Sequence, residues 1–111
     1  RNDISGVRVS EEETRKAMLD CHQRFGYVID PHGAVGYHAW RATMNQHPDE
    51  AGVILETAHP SKFSNVVEET LHLVPEMPQR LAEIVAKQKV SVKIEPVLAA
   101  LKTYLMDRKT A

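Results

Sequence analysis

Thr57, His59 and Lys62 lie close together in the segment LETAHPSKF. A hydroxyl, an imidazole and an ammonium are groups that hydrogen-bond or neutralise a polar ligand. Pro60 can begin a helix, and the free N–H groups of its first turn would then favour an anion. His59 is a weaker N-cap than serine or aspartate, which suggests that it has another task. The segment is a candidate ligand site; the alternative is an ordinary strand-to-helix turn that happens to contain a histidine.

A second segment, DPHGAVG, carries a carboxylate and an imidazole directly after an apolar run. Asp30 is a favourable N-cap for a helix that begins at the following proline, and capping alone would explain it. The functional alternative has Asp30 and His32 facing the same crevice as Thr57, with the glycines of the segment allowing close approach of the backbone. Spacing alone leaves both interpretations open.

The six histidines do not form a metal-binding pattern. His32 and His38 are six residues apart, and no two histidines have the i, i+4 spacing that places two imidazoles on one helix face. We therefore expect no metal site. Cys21 falls on the apolar face of a predicted helix, so we expect a buried core thiol rather than a nucleophile.

Helices predicted from apolar spacing would position these groups. The first begins after Ser10, where Glu13 completes a capping box, and it ends before Gly26. Its apolar face predicts that Cys21 and Phe25 point inward. Further helices are predicted from Pro31 to about Gln46, from Pro60 onward, from Gln79 to Gln88 and from Pro96 onward.

Short apolar runs between these helices predict β-strands. Residues 52–57 suit a strand buried on both faces, and residues 90–94 alternate as a half-exposed strand does. Residues 7–9 and 27–29 are two further candidates. The alternation predicts an α/β fold with mostly parallel strands, in which ligands gather at the carboxyl ends of the strands, where Thr57 lies.

Composition narrows the classes of function. The 111 residues suit a single fragment, residues 1–111, and the net charge of -1 with a pI near 6.7 gives no bulk attraction to nucleic acid or to an anionic membrane. No apolar run approaches the roughly 18 residues of a membrane-spanning helix. The single cysteine excludes an internal disulfide and favours a reducing, cytoplasmic location. Because the chain does not begin with Met, we expect a piece of a longer polypeptide or a processed product.

The motifs ISGVRVSEEET, GYVIDPHGAVGYHA and ETAHPSKF resemble, in order and spacing, the C-terminal portion of the threonine synthase family in its bacterial and fungal branch. The resemblance is strong over residues 4–63 and general beyond them. The family more often has threonine at position 33 and alanine at position 61. Gly33 and Ser61 are therefore departures from its pattern.

The resemblance implies a pyridoxal 5'-phosphate enzyme, a carbon–oxygen lyase of the tryptophan synthase β-like fold, which converts O-phospho-L-homoserine and water to L-threonine and phosphate. It also implies that the Schiff-base lysine lies outside this chain, in a missing N-terminal part, and that the chain alone is inactive. Thr57 would bond the pyridine nitrogen of the cofactor, with Asp30 and His32 near the ring. His59 and Lys62 would contact the substrate, Lys62 through the phosphate.

Two alternatives of other classes remain. The chain could be a non-catalytic α/β module that binds a small anion at the TAHPSKF turn, in which case sulfate or phosphate would raise its melting temperature. It could also be a purely structural fragment whose helix faces await a covering partner, in which case it would self-associate.

Overall fold

Helices supply all the regular secondary structure of the described residues. The structure, a computed structural model, describes residues 4–46 and 48–107. Contacts divide the chain into two compact units, Arg1–Met77 and Pro78–Ala111. That residues 1–111 form a single fragment of a catalytic region stays a prediction. The α-helices are α1 (Glu11–Phe25), α2 (Pro31–Thr43), α3 (Ser64–Leu71), α4 (Gln79–Val85) and α5 (Leu98–Asp107), with 3₁₀ helices at Met44–Gln46 and Pro60–Phe63.

Both ends of α1 follow the local chemistry of the sequence. The Ser10 hydroxyl accepts a hydrogen bond from the Glu13 N–H at 3.3 Å, and the Glu13 carboxylate accepts one from the Ser10 N–H at 2.7 Å. The bond from the Ser10 N–H, together with one that the Ser10 hydroxyl donates to the same Glu13 Oε2 at 2.7 Å, lowers the pKa of the Glu13 carboxyl below its ordinary value. Gly26 ends the helix with φ +64°, a left-handed conformation that costs glycine little. The predicted capping box and C-terminal glycine are confirmed.

Helices α1, α2 and α3 surround the apolar core of the first unit. Met18 and Val67 are among its fully buried side chains, and Arg15 joins α1 to α3 by donating to Thr70 Oγ1 and Glu69 Oε2, each at 3.0 Å. Phe25, predicted to point inward, is 64% exposed. The buried apolar residues of the core are Ala17, Met18, Cys21, Ile29, Ala34, Tyr37 and Val67.

The second unit contains α4 and α5. Its helices begin and end within a few residues of the predicted positions, with α4 ending at Val85 and α5 beginning at Leu98. The predicted inward faces are exposed: Ile84, Val85 and Leu98 all lie open to solvent. Across residues 4–46 and 48–107, no helix combines the length and the apolar character needed to cross a membrane.

The predicted α/β fold with mostly parallel strands is wrong for the described part of the chain, which contains no strand. Residues 7–9, 27–29, 52–57 and 90–94 are non-helical but form no ladder. Outside the helices, the backbone–backbone hydrogen bonds of the described residues join positions at most four apart, so no two segments pair. Residues 52–57 are not buried on both faces as predicted, since Val53 is 85% and Leu55 82% exposed. A strand exists only when a neighbouring strand accepts and donates along its backbone, and the apolar pattern of one segment does not specify that pairing.

Candidate functional site

The two segments singled out by their chemistry lie side by side in the first unit. The rings of His32 and Phe63 are 5.0 Å apart between centroids, with their planes tilted by 55°. A Cβ placed on Gly33 would overlap Glu56 Oε1 and would lie 2.9 Å from Ile29 Cγ1. The start of α2 therefore packs against the segment LETAHPSKF, and only a residue without a side chain fits at position 33 in this arrangement.

Asp30 caps α2, as predicted, but it is buried more completely than a cap requires. Its Oδ1 accepts a hydrogen bond from the His32 N–H at 2.9 Å and lies 3.1 Å from His32 Nδ1. The residue is 0% exposed, and within the described residues its Oδ2 has no hydrogen-bond partner. A carboxylate oxygen taken out of water without a donor is costly. This oxygen is therefore ready to accept a hydrogen bond from a group that the described chain does not supply.

His32 is exposed, unlike Asp30, and only one of its two ring nitrogens contacts Asp30. Its Nδ1 faces the Asp30 carboxylate, and a proton on Nδ1 makes that contact a hydrogen bond. The side chain is nevertheless 67% exposed. Nε2 is then the nitrogen that is left to meet a ligand.

Thr57 and Lys62 are exposed and uncommitted. Over residues 4–46 and 48–107, the Thr57 hydroxyl makes no hydrogen bond and the Lys62 ammonium makes no ion pair. Thr57 follows Glu56 directly, and Lys62 precedes Phe63, so both belong to the stretch that adjoins the start of α2. The structure thus leaves both groups exposed in the segment LETAHPSKF, each next to a residue that contacts the start of α2.

His59 caps the 3₁₀ helix Pro60–Phe63 through its ring. Its Nδ1 accepts a hydrogen bond from the Ser61 N–H at 3.2 Å and lies 2.8 Å from Ser61 Oγ. An imidazole thus does here what serine or aspartate does at other helix starts. Since Nδ1 accepts, the proton of the neutral ring is on Nε2, which makes that nitrogen a donor.

Glu56 and Tyr27 are site residues that the sequence interpretation missed. The Tyr27 hydroxyl donates to Glu56 Oε2 at 2.7 Å. A cavity of about 390 Å³ and another of about 440 Å³ both have Tyr27 and Glu56 in their walls; Tyr37 and Trp40 line the first, and His59 lines the second. The available signal was the position of Glu56, immediately before Thr57 in the quoted segment. Within the described residues, no three His, Cys, Asp or Glu side chains cluster as metal ligands do.

We expect the substitution Glu56→Gln to lower the pKa of Tyr27, which the Glu56 hydrogen bond and burial raise to about 12. Glutamine still accepts a hydrogen bond, but it carries no negative charge to oppose the phenolate. Ultraviolet titration of tyrosinate absorbance measures the change. Asp20→Asn is the matched control, because it lowers the pKa of Tyr37, which burial and the Asp20 hydrogen bond raise to about 12, and leaves that of Tyr27 alone.

The same substitution changes the dependence of stability on pH. A tyrosine whose pKa is raised by folding stabilises the folded state fully below its ordinary pKa, and this contribution is lost as the pH rises through about 12. In Glu56→Gln the contribution of Tyr27 shrinks, so the loss of stability between its ordinary pKa and pH 12 becomes smaller. An unchanged Tyr27 titration would show that Glu56 does not control this phenol.

Comparison with known proteins shows which family the chain belongs to. Residues 33–105 match the family "Threonine synthase, C-terminal". Over 107 residues the chain is 36% identical to threonine synthase of Escherichia coli (strain K12), covering 96% of this chain and 24% of that protein. Threonine synthase of Buchnera aphidicola (subsp. Acyrthosiphon pisum) is 36% identical over 100 residues, 90% of this chain and 23% of the relative.

A solved structure agrees with these relatives. The crystal structure of threonine synthase from Escherichia coli matches with a TM-score of 0.80 and 35% identity, over 92% of this chain and 23% of that chain. The chain therefore belongs to the threonine synthase family and corresponds to its C-terminal part. It spans about a quarter of the length of the relatives that it matches.

Proposed function

We propose that this chain is the C-terminal part of an enzyme that converts O-phospho-L-homoserine and water to L-threonine and phosphate with pyridoxal 5'-phosphate. The observation that carries the proposal is the packing of the start of α2 against LETAHPSKF, which places His32 5.0 Å from Phe63. Among the residues that the structure describes, Asp30 Oδ2 and the Thr57 hydroxyl, one in each of these segments, have no hydrogen-bond partner. The names of the relatives supply the reaction class.

The residues present fit one side of such a cofactor. The uncommitted Thr57 hydroxyl can bond a ring nitrogen, and the buried Asp30 Oδ2 can accept a hydrogen bond from a neighbouring group. When bound, pyridoxal phosphate supplies an electron sink for negative charge that develops on a substrate carbon. Asp30 and His32 would stand near the ring.

Thr57 would control how strongly the cofactor ring withdraws electrons. A carboxylate beside the pyridine nitrogen would keep that nitrogen protonated, whereas the neutral hydroxyl of Thr57 leaves it largely unprotonated. The electron sink is then moderate rather than maximal.

Lys62 and His59 would recognise the phosphate of the substrate. The Lys62 ammonium is exposed and without an ion pair among the described residues, and it lies in the first turns after Pro60. His59 accepts at Nδ1 from the Ser61 N–H, which leaves an N–H at Nε2 to donate. A cation and a neutral N–H donor together suit a phosphate dianion.

An N-terminal part of the same polypeptide would supply the Schiff-base lysine and the phosphate cup of the cofactor. None of the lysines in this chain stands in a sequence context like that of the family's Schiff-base lysine. A reducing, cytoplasmic location belongs to the same proposal, because Cys21 is the one cysteine of the sequence and is a buried free thiol.

The test compares a longer enzyme that contains this chain with the 111-residue chain alone. With pyridoxal phosphate present, we expect the longer enzyme to form threonine and phosphate in equal amounts from O-phospho-L-homoserine, and the chain alone to form neither. L-homoserine without the phosphate is the control substrate. Turnover by the chain alone would contradict the division of the site, and no threonine from the longer enzyme would contradict the reaction.

A further inference from the structure

We propose that His32 is the proton-transfer group of this site and that Asp30 is the residue that positions it. The inference rests on the proposed function for the identity of the reaction. It goes beyond that function by assigning chemistry to one ring nitrogen, Nε2 of His32. Three features of the structure carry it: the contact between the two side chains, the burial of Asp30 and the packing of the His32 ring.

The contact between the two side chains fixes which nitrogen of His32 faces outward. Nδ1 lies 3.1 Å from Asp30 Oδ1, and in the neutral ring it must carry the proton to make this a hydrogen bond. Nε2 then keeps its lone pair and can accept a proton. His59 is arranged the other way round, because its Nδ1 accepts from Ser61 and its Nε2 carries the proton.

The burial of Asp30 is the second feature, because capping does not require it. Serine or asparagine caps a helix about as well and brings no charge into the interior. Asp30 is 0% exposed, and its Oδ2 finds no partner in the described part of the chain. The carboxylate nevertheless has a use here, since it attracts the positive charge that His32 gains on taking up a proton.

The ring of His32 is held in place while remaining open to a ligand. Phe63 packs against it at 5.0 Å between centroids, so the ring has Asp30 at one edge and an aromatic neighbour beside it. The side chain is still 67% exposed. A ring fixed by two neighbours and reachable at Nε2 meets the geometric requirement for general acid–base catalysis.

The proposed step is a proton transfer that balances over one turnover. A water molecule must lose a proton as its oxygen bonds to a carbon of the substrate. His32 Nε2 accepts this proton with its lone pair, and the ring becomes an imidazolium beside the Asp30 carboxylate. The bond that the overall reaction breaks is the C–O bond to the phosphate, and the departing phosphate takes up one proton. The proton on Nε2 is returned through solvent, so the reaction as a whole neither releases nor consumes a proton, and the neutral ring is restored with its proton on Nδ1.

The first test reads the ring itself and needs no activity. In an enzyme that contains this chain, ¹⁵N NMR of labelled histidine rings reports which nitrogen carries the proton, and loss of a signal in His32→Gln identifies His32. We expect the Nδ1–H form of neutral His32, and a change to Nε2–H in Asp30→Ala. An Nε2–H form in the unaltered enzyme would overturn the proposal, whatever reaction the enzyme catalyses.

The second test measures turnover and its rescue. We expect His32→Ala to lower kcat by about 10²–10⁴-fold with KM little changed, because a general base contributes at that level. Added imidazole should restore part of the rate, which it would not do for a structural role. His38→Ala, a change on the same helix six residues further along, is the control and should keep the original kcat.

A third variant separates loss of the Asp30 charge from loss of the fold. Asp30→Asn keeps an oxygen that can cap α2 but removes the charge, so we expect kcat to fall while KM and the melting temperature stay close to their original values. Absence of imidazole rescue in His32→Ala, or an unchanged kcat in Asp30→Asn, would overturn the assignment. If the unaltered enzyme forms no threonine but NMR still shows the Nδ1–H form of His32, the result contradicts the proposed function and not the pairing of His32 with Asp30.

Discussion

Replacing Met18 by alanine is expected to lower the free energy of unfolding of the chain by about 2–5 kcal/mol. Met18 is 0% exposed and lies in the core where α1 meets the other helices of the first unit. Truncation to a methyl group removes most of its buried surface and leaves a cavity that a close-packed neighbourhood fills poorly. Alanine favours helix slightly more than methionine does, but by much less than the packing loss.

Leu19 offers a matched control one residue further along the same helix. It is an apolar side chain of similar size but is 38% exposed. We expect Leu19→Ala to cost clearly less than Met18→Ala when both are measured by urea denaturation. Equal losses for the two variants would mean that α1 does not turn the face carrying Met18 toward the core.

Replacing Thr57 by valine is expected to lower the turnover of an enzyme that contains this chain by about 5–150-fold. The range corresponds to about 1–3 kcal/mol for the loss of one hydrogen bond to a group that is then left unpaired. Valine has nearly the shape of threonine, so the substitution removes the hydroxyl and little else. Phosphate release from O-phospho-L-homoserine measures the effect.

Two controls separate this role from a structural one. Thr57→Ser retains the hydroxyl and should retain most of the turnover. Because Thr57 is exposed and without a partner in the described chain, Thr57→Val should change the free energy of unfolding by no more than about 0.5 kcal/mol. Unchanged turnover in Thr57→Val would show that the Thr57 hydroxyl has no role in the proposed site.

Helix positions were predictable because their signals are local. A capping box at Ser10 and an aspartate–proline pair at Asp30 act within one turn, and the structure confirms both starts. The end of α3 was not predictable in the same way. His72 closes it with φ +54°, a left-handed conformation that sequence patterns assign to glycine or asparagine. Its backbone N–H donates to the Glu68 carbonyl oxygen at 3.0 Å.

Strands could not be predicted because their cause is not local. Residues 27–29 and 52–57 are apolar and lie near each other, as the hydrogen bond from Tyr27 to Glu56 shows. Their backbones nevertheless do not pair in the described chain. Burial stabilises an apolar side chain, but the hydrogen-bond ladder of a strand also needs a neighbouring backbone in register. No single segment of the sequence encodes that neighbour.

The candidate site was partly predictable, because some of its residues lie at helix starts with local signals and others are brought together only by folding. Asp30, His32, Thr57, His59 and Lys62 stood out because their chemistry lies next to helix starts that the sequence announces. The contacts of Glu56 with Tyr27 and Gly33 join positions more than twenty residues apart, and only folding reveals them. The roles of the five predicted residues toward cofactor and substrate stay predictions.

The shared space of Gly33 and Glu56 restricts how this chain can evolve and how it can be recombined. A side chain at position 33 would occupy the volume that the Glu56 carboxylate fills. We expect a relative with threonine at position 33 to hold its residue at position 56 differently. Transplanting residues 30–36 from such a relative would push Glu56 away from Tyr27. A chimera that exchanges only residues 30–36 is therefore expected to lose the Tyr27–Glu56 hydrogen bond.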